Sequence, residues 1–214
     1  MAYEILNNHP INIEREKNGL NKANSIWLWG QGTKPKLPDF TTEYKIKGSM
    51  VSAVDLLFGL AKCSGLNTIE VDGATGTKET NFDGKAKAAI DAFQNGSDYV
   101  YIHLEAPDEC GHQGDIEGKV YSIQMINDKI FKPLYQYLLE NQKQNNEDFH
   151  IMILPDHPTP IEIRTHASEA VPFMLYKSEV NLPSNNSSVY NEFYCADTGV
   201  YFDNAPELFR EFMK

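Results

Sequence analysis

The sequence predicts an α/β fold, a mostly parallel sheet with helices on both faces. Two apolar runs, Tyr99–Leu104 and His150–Leu154, have the length of buried strands, and each leads into a cluster of carboxylates and imidazoles. Strand-like and helix-like segments alternate along the chain, the pattern of a sheet wound with crossover helices. With 214 residues, 41% hydrophobic and 23% charged, there is ample material for one core, and no linker or internal repeat divides the chain. A single domain spanning 1–214 is expected.

The elements follow in order. Met1–Leu6 is ambiguous. Pro10 suits the first turn of a helix running to about Asn18, where Gly19 stops it. Ser25–Trp29 is apolar enough for a strand, and Gly30-Gln31-Gly32 then turns the chain. That Gly-x-Gly lacks the third glycine or the Gly-Lys-Ser/Thr of a phosphate loop, so a plain turn is the better reading. Gly48–Val51 reads as a short strand or an entry loop. Ala53–Cys63 carries Val54, Leu57, Phe58 and Ala61 at helical spacing, with Gly65 as its stop. Thr68–Val71 is a strand, Asp72–Gly76 a loop and Lys85–Phe93 a helix ended by Asn95-Gly96. From Ile116 to about Gln142, Val120, Ile123, Ile126, Ile130 and Leu134 repeat every three or four residues, predicting one long helix with one buried face and a kink at Pro133. Asn145–Asp148 is a polar turn. Pro172–Tyr176 is a strand, Leu182–Ser188 a polar loop and Pro206–Met213 a closing helix.

Composition excludes some functions. A net charge of −11 disfavours nucleic acid and anionic membrane as partners. Cys63, Cys110 and Cys195 are odd in number and widely spaced, which is no disulfide framework and points to a reducing, cytoplasmic setting. No apolar run has the length of a membrane span, and no signal-peptide pattern opens the chain. The Asn-x-Ser matches at Asn185 and Asn186 then mean no more than a polar surface loop.

The chemistry concentrates past the two apolar runs. In open α/β sheets, ligands bind outside the carboxyl ends of the strands. Asp108 and His112 stand there after the first run, and Asp156 and His157 after the second; His166 follows. Asp with His is a ligand set for zinc or manganese rather than calcium. Spacing i, i+4 would put Asp108 and His112 on one helix face, but Pro107 and Gly111 argue for a loop or irregular turn. A capping Asp beside a surface His is the plainer alternative. Adjacent Asp156 and His157 would diverge in an extended segment, so they share an ion only across a turn, which Pro155 and Pro158 make plausible. The clusters together point to a metal centre, with two ions expected.

Longer stretches carry a resemblance. Glu105-Ala106-Pro107-Asp108-Glu109-Cys110-Gly111-His112-Gln113-Gly114-Asp115, Leu154-Pro155-Asp156-His157-Pro158-Thr159-Pro160 and Arg164-Thr165-His166 closely resemble the archaeal-type, cofactor-independent phosphoglycerate mutases of the alkaline phosphatase superfamily. Trp27–Gly32, Val51–Leu57 and Asp72–Gly76 are similar to the same family. The resemblance implies part of an alkaline phosphatase-like core. It implies that Asp108, His112 and His166 hold one divalent ion and Asp156 and His157 a second. These would be manganese or zinc, with magnesium as a third option, and no organic cofactor is implied. It further implies interconversion of 3-phosphoglycerate and 2-phosphoglycerate through a phosphoserine-type intermediate.

The family completes its second site with an early Asp and a Ser or Thr nucleophile, and neither is found here. The chain therefore reads as the C-terminal part of a longer enzyme, inactive alone, with apolar surface left open to self-association. The substrate would be a phosphorylated small molecule, and Arg164 is the nearest cation for its carboxylate or phosphate. His103 and His150 read as packing or supporting groups, and Cys110 as a bystander in the metal loop. Two alternatives stay open: a mutase-like homoserine kinase of the same branch, and a non-catalytic metal-binding module.

Overall fold

The structure, a computed structural model, describes residues 1–28, 30–180 and 189–214. It forms two compact units, 1–36 and 37–214. The first unit holds α1 (Ala2–Asn7) and α2 (Pro10–Lys17). Pro10 opens α2 where a missing N–H costs nothing, and Gly19 at φ 71 follows its end. The expected strand at Ser25–Trp29 does not form: residues 25–28 lie in no regular element, Trp27 and Leu28 are exposed, and Trp29 lies outside the described residues. So do Asn185, Asn186 and the rest of the expected polar loop.

The second unit contains α3 (Phe40–Tyr44), β1 (Gly48–Val51), α4 (Asp55–Cys63), β2 (Asn67–Ile69), α5 (Phe82–Gln94) and β3 (Tyr99–Ile102). Next come α6 (Ala106–Gln113), α7 (Ile116–Met125), a π-helical turn at Ile126–Phe131, and α8 (Lys132–Asn145). β4 (His150–Ile153), β5 (Met174–Lys177), α9 (Glu192–Asp197) and α10 (Ala205–Phe212) complete it. The α/β class holds. β2, β1 and β3 form a parallel sheet in that order, and β1, central, is buried along its whole length.

One strand pairing differs from expectation. β4 does not extend the parallel sheet; it pairs antiparallel with β5, from His150 opposite Lys177 to Ile153 opposite Met174. An apolar run reports burial, not the partner it pairs with.

The long helical pattern is real but interrupted. The π-helical turn ends at Phe131, two residues before Pro133, and Lys132 N–H reaches back to the Asn127 carbonyl. Widening the turn is one way a helix absorbs a proline that cannot donate and whose ring crowds the preceding carbonyls. Ile130 packs with Phe82 and Ala86, joined by Ile126, Leu134, Ile102 and Leu104. Val120 and Ile123, expected on the buried face, are 62% and 53% exposed. α7 instead turns Gly118 and the fully buried Ser122 toward α6; a Cβ on Gly118 would come 3.0 Å from Cys110 Sγ. Close approach selects small residues there and rotates the larger ones outward. A second cluster, of Phe40, Tyr44, Tyr99, Phe209 and Phe212, joins α3 and α10 to β3.

The three cysteines are free thiols. Among the described residues no helix is long and apolar enough to cross a membrane.

Candidate metal centre

Asp108 and His112 do not lie in a loop. They belong to α6, which places them one turn apart on one face. Pro107 sits in the first turn, where its missing N–H is harmless, and Gly114, left-handed at φ 73, ends the helix. Gly111 does not break α6 because it is needed for packing: a Cβ there would lie 2.6 Å from the Thr159 carbonyl oxygen. The glycine lets the helix backbone rest against the loop after β4.

That loop brings the remaining candidates in. Residues 156 and 157 form a bend, so their side chains converge, with Asp156 Oδ2 3.3 Å from His157 Nε2. A hydrogen bond from Ala167 N–H to the Pro158 carbonyl closes the following turn. It sets His166 beside His157, ring centroids 3.7 Å apart.

Asp108 is the hub. Its Oδ2 lies 3.3 Å from His112 Nε2 and its Oδ1 3.4 Å from His166 Nε2. The two imidazole Nε2 atoms are 3.1 Å apart. The ligand atoms of Asp108, His157 and His166 also lie within 4.8 Å of one another. So Asp108, His112, His157 and His166 form one close group. Asp156 joins it through His157 and is the most exposed of the five, its side chain 74% accessible. Arg164 lies at the other end of the same turn, its guanidinium against Gly114 at the end of α6.

Proton placement tests whether this donor set fits a cation. His112 Nδ1 is 3.0 Å from the Arg164 carbonyl. A carbonyl only accepts, so Nδ1 carries the proton and the Nε2 lone pair faces Asp108 and His166. The Thr159 hydroxyl donates to Asp108 Oδ1. Its proton is then spent, and the 3.4 Å contact with His157 Nδ1 requires that nitrogen to donate. His157 Nε2 therefore turns its lone pair toward Asp156 Oδ2. Each Nε2 thus faces a carboxylate oxygen or another imidazole nitrogen at 3.1–3.4 Å, a donor set that suits divalent cations. The residues fit the ions implied by the resemblance.

The surroundings agree in sign. Burial, then the Glu109 and Asp108 carboxylates, push the Glu105 carboxyl above its usual range. Lys85, almost fully buried, supplies one positive charge nearby; it donates to the Thr75 and His103 carbonyls at 3.4 and 3.3 Å, and burial lowers its pKa. Burial likewise lowers that of His103.

Thr159 is the residue that reading the sequence missed as a site member. It is buried, its hydroxyl holds Asp108, and its carbonyl accepts from Lys119 Nζ at 2.6 Å. A lone threonine between prolines carries no signal of such a role. The one available hint is Gly111 between Asp108 and His112.

Comparison with known proteins agrees with this geometry. A family model described as Metalloenzyme superfamily matches residues 7–208. The 2,3-bisphosphoglycerate-independent phosphoglycerate mutase of Methanothrix thermoacetophila is 42% identical over 209 residues, 98% of this chain and 52% of the relative. The enzyme of that name from Methanosarcina barkeri is 44% identical over 188 residues, 88% of this chain and 46% of the relative. The solved structure of PH0037 protein from Pyrococcus horikoshii superposes with a TM-score of 0.70 at 28% identity, covering 91% of this chain and 49% of that one. The chain thus spans about half the length of the curated relatives it matches. On the family match and the acceptor cluster at α6, the chain belongs to the metalloenzyme superfamily.

Proposed function

We propose that this chain supplies the metal-binding part of a phosphoglycerate mutase that interconverts 3-phosphoglycerate and 2-phosphoglycerate. The observation that carries it is the convergence of Asp108, His112, His157 and His166, joined by Asp156, beyond the ends of β3 and β4. The names of the relatives add the substrate class. Asp108, His112 and His166 would hold one divalent ion and Asp156 and His157 the other, as manganese, zinc or magnesium. Such ions neutralise charge on a transferring phosphoryl group and acidify a nucleophilic hydroxyl. Asp108, held by Thr159, fixes the position of the cluster. The Arg164 carbonyl and the Thr159 hydroxyl engage Nδ1 of His112 and His157, which turns each Nε2 toward the cluster. Arg164 is the proposed cation for the carboxylate or phosphate of the substrate. The nucleophile, and with it the phosphoserine-type intermediate, is assigned to sequence that the relatives carry beyond the stretch matched here.

The test is an assay of 2-phosphoglycerate formation from 3-phosphoglycerate with Mn²⁺ or Zn²⁺. The 214-residue chain alone is expected to show no turnover. Mixed or co-expressed with the unmatched half of the Methanothrix relative, it is expected to show turnover that His166→Ala removes. Turnover by the chain alone would place the nucleophile within it. ATP-dependent phosphorylation of homoserine by the mixture, without mutase turnover, would replace the mutase reading with a kinase.

A further inference from the structure

Arg164 has an unusual backbone. It is one of three non-glycine residues with positive φ among those described, at +53°. Left-handed geometry is costly for a side chain with a Cβ and is kept where the surroundings require it. Here the turn from Pro160, whose carbonyl accepts from Arg164 N–H at 3.0 Å, ends in that geometry. The result is a carbonyl aimed at His112 Nδ1, 3.0 Å away. The other end of the residue reaches the same helix: a Cβ on Gly114 would meet the guanidinium Nε, Cζ and Nη2 at 2.7–2.8 Å. A cation at the last turn of α6 complements the negative end of that helix. Both ends of Arg164 thus bear on α6, the helix that carries Asp108 and His112.

We infer that Arg164 is a positioning residue of the metal centre: its left-handed carbonyl holds His112 in the tautomer that frees Nε2 for an ion. This rests on the metal reading above and goes beyond it, because it assigns a main-chain role separate from the guanidinium's proposed contact with substrate. Groups that fix a ligating imidazole in this way set metal affinity by about 10–100-fold.

Two substitutions separate the backbone from the side chain. Arg164→Gly removes the guanidinium and keeps positive φ accessible. Arg164→Val also removes it, and adds a β-branched residue that resists that geometry. Titration calorimetry with Mn²⁺ and with Zn²⁺ should show Arg164→Gly binding close to the unsubstituted chain and Arg164→Val about 10–100-fold weaker. Equal weakening in both variants, or none in Arg164→Val, would overturn the inference. A second measurement needs no variant and no metal. Long-range ¹H–¹⁵N correlation on the metal-free chain should show His112 protonated at Nδ1; protonation at Nε2 alone would refute the assignment. If the unsubstituted chain bound neither ion, the metal reading would fall, and the tautomer spectrum would still decide this inference.

Discussion

Asp108→Ala is expected to abolish the rise in melting temperature that Mn²⁺ or Zn²⁺ gives this chain. An ion present at a hundred times its dissociation constant stabilises the folded state by about 2.7 kcal/mol. For a chain of this length that is a rise of about 5–10 °C. Asp108 is the residue whose loss should cost all of it. Its two oxygens face His112 and His166 separately, and Thr159 holds one of them in place. Alanine removes the carboxylate that faces both His112 and His166 and leaves the Thr159 hydroxyl without its acceptor. Asp156→Ala provides the contrast. Asp156 is exposed and touches the cluster only through His157, so part of the rise should survive. Differential scanning fluorimetry with and without the ion reads both variants. An undiminished rise in Asp108→Ala would remove the carboxylate from the centre.

The second large effect is expected from Gly111→Ala. Alanine is ordinarily favoured over glycine inside a helix by about 1 kcal/mol. In α6 the added methyl would meet the Thr159 backbone oxygen at 2.6 Å and its side chain at 2.9 and 3.1 Å. Backbone cannot swing aside as a long side chain does, so α6 and the loop must part. Overpacking of this kind costs about 1–3 kcal/mol and outweighs the propensity gain, lowering the melting temperature by several degrees. The functional loss should be larger than the stability loss. Separation of α6 from residues 157–166 pulls Asp108 and His112 away from His157, Thr159 and His166, and metal affinity should fall at least about tenfold. Gly59 gives the control, since a Cβ there, on the exposed side of α4, meets nothing within 4 Å. Gly59→Ala should stabilise the chain slightly and leave metal binding alone. A Gly111→Ala variant as stable and as tight-binding as the parent would show that the close approach is not needed.

These two residues also show where sequence reading succeeds and stops. The strand expected within Tyr99–Leu104 and the helices expected from Pro10 and over Ala53–Cys63 follow from local apolar pattern and from start and stop residues, and they form with slightly different bounds; Gly48–Val51, readable as strand or entry loop, is a strand. The candidate ligands are legible because carboxylate and imidazole cluster beyond strand ends. What failed depended on distant partners. Pro107 and Gly111 look like helix breakers in isolation; in the fold one fits the first turn and the other fits against Thr159. The run at His150–Ile153 announces a strand, but the choice of β5 as antiparallel neighbour lies twenty residues on. The period through Val120 and Ile123 predicts a buried face, and close packing of α6 on Gly118 and Ser122 turns that face outward. Ser25–Leu28 is apolar and yet lies in no regular element.

The central claim is that Asp108, His112 and His166 share one divalent ion. Crystals of the chain soaked in Mn²⁺ and, separately, Zn²⁺, measured at each metal's absorption edge, test it most directly. The account requires an anomalous peak at bonding distance from Asp108 Oδ, His112 Nε2 and His166 Nε2. A fully soaked crystal with no peak there, or with ions bound only elsewhere, would contradict it.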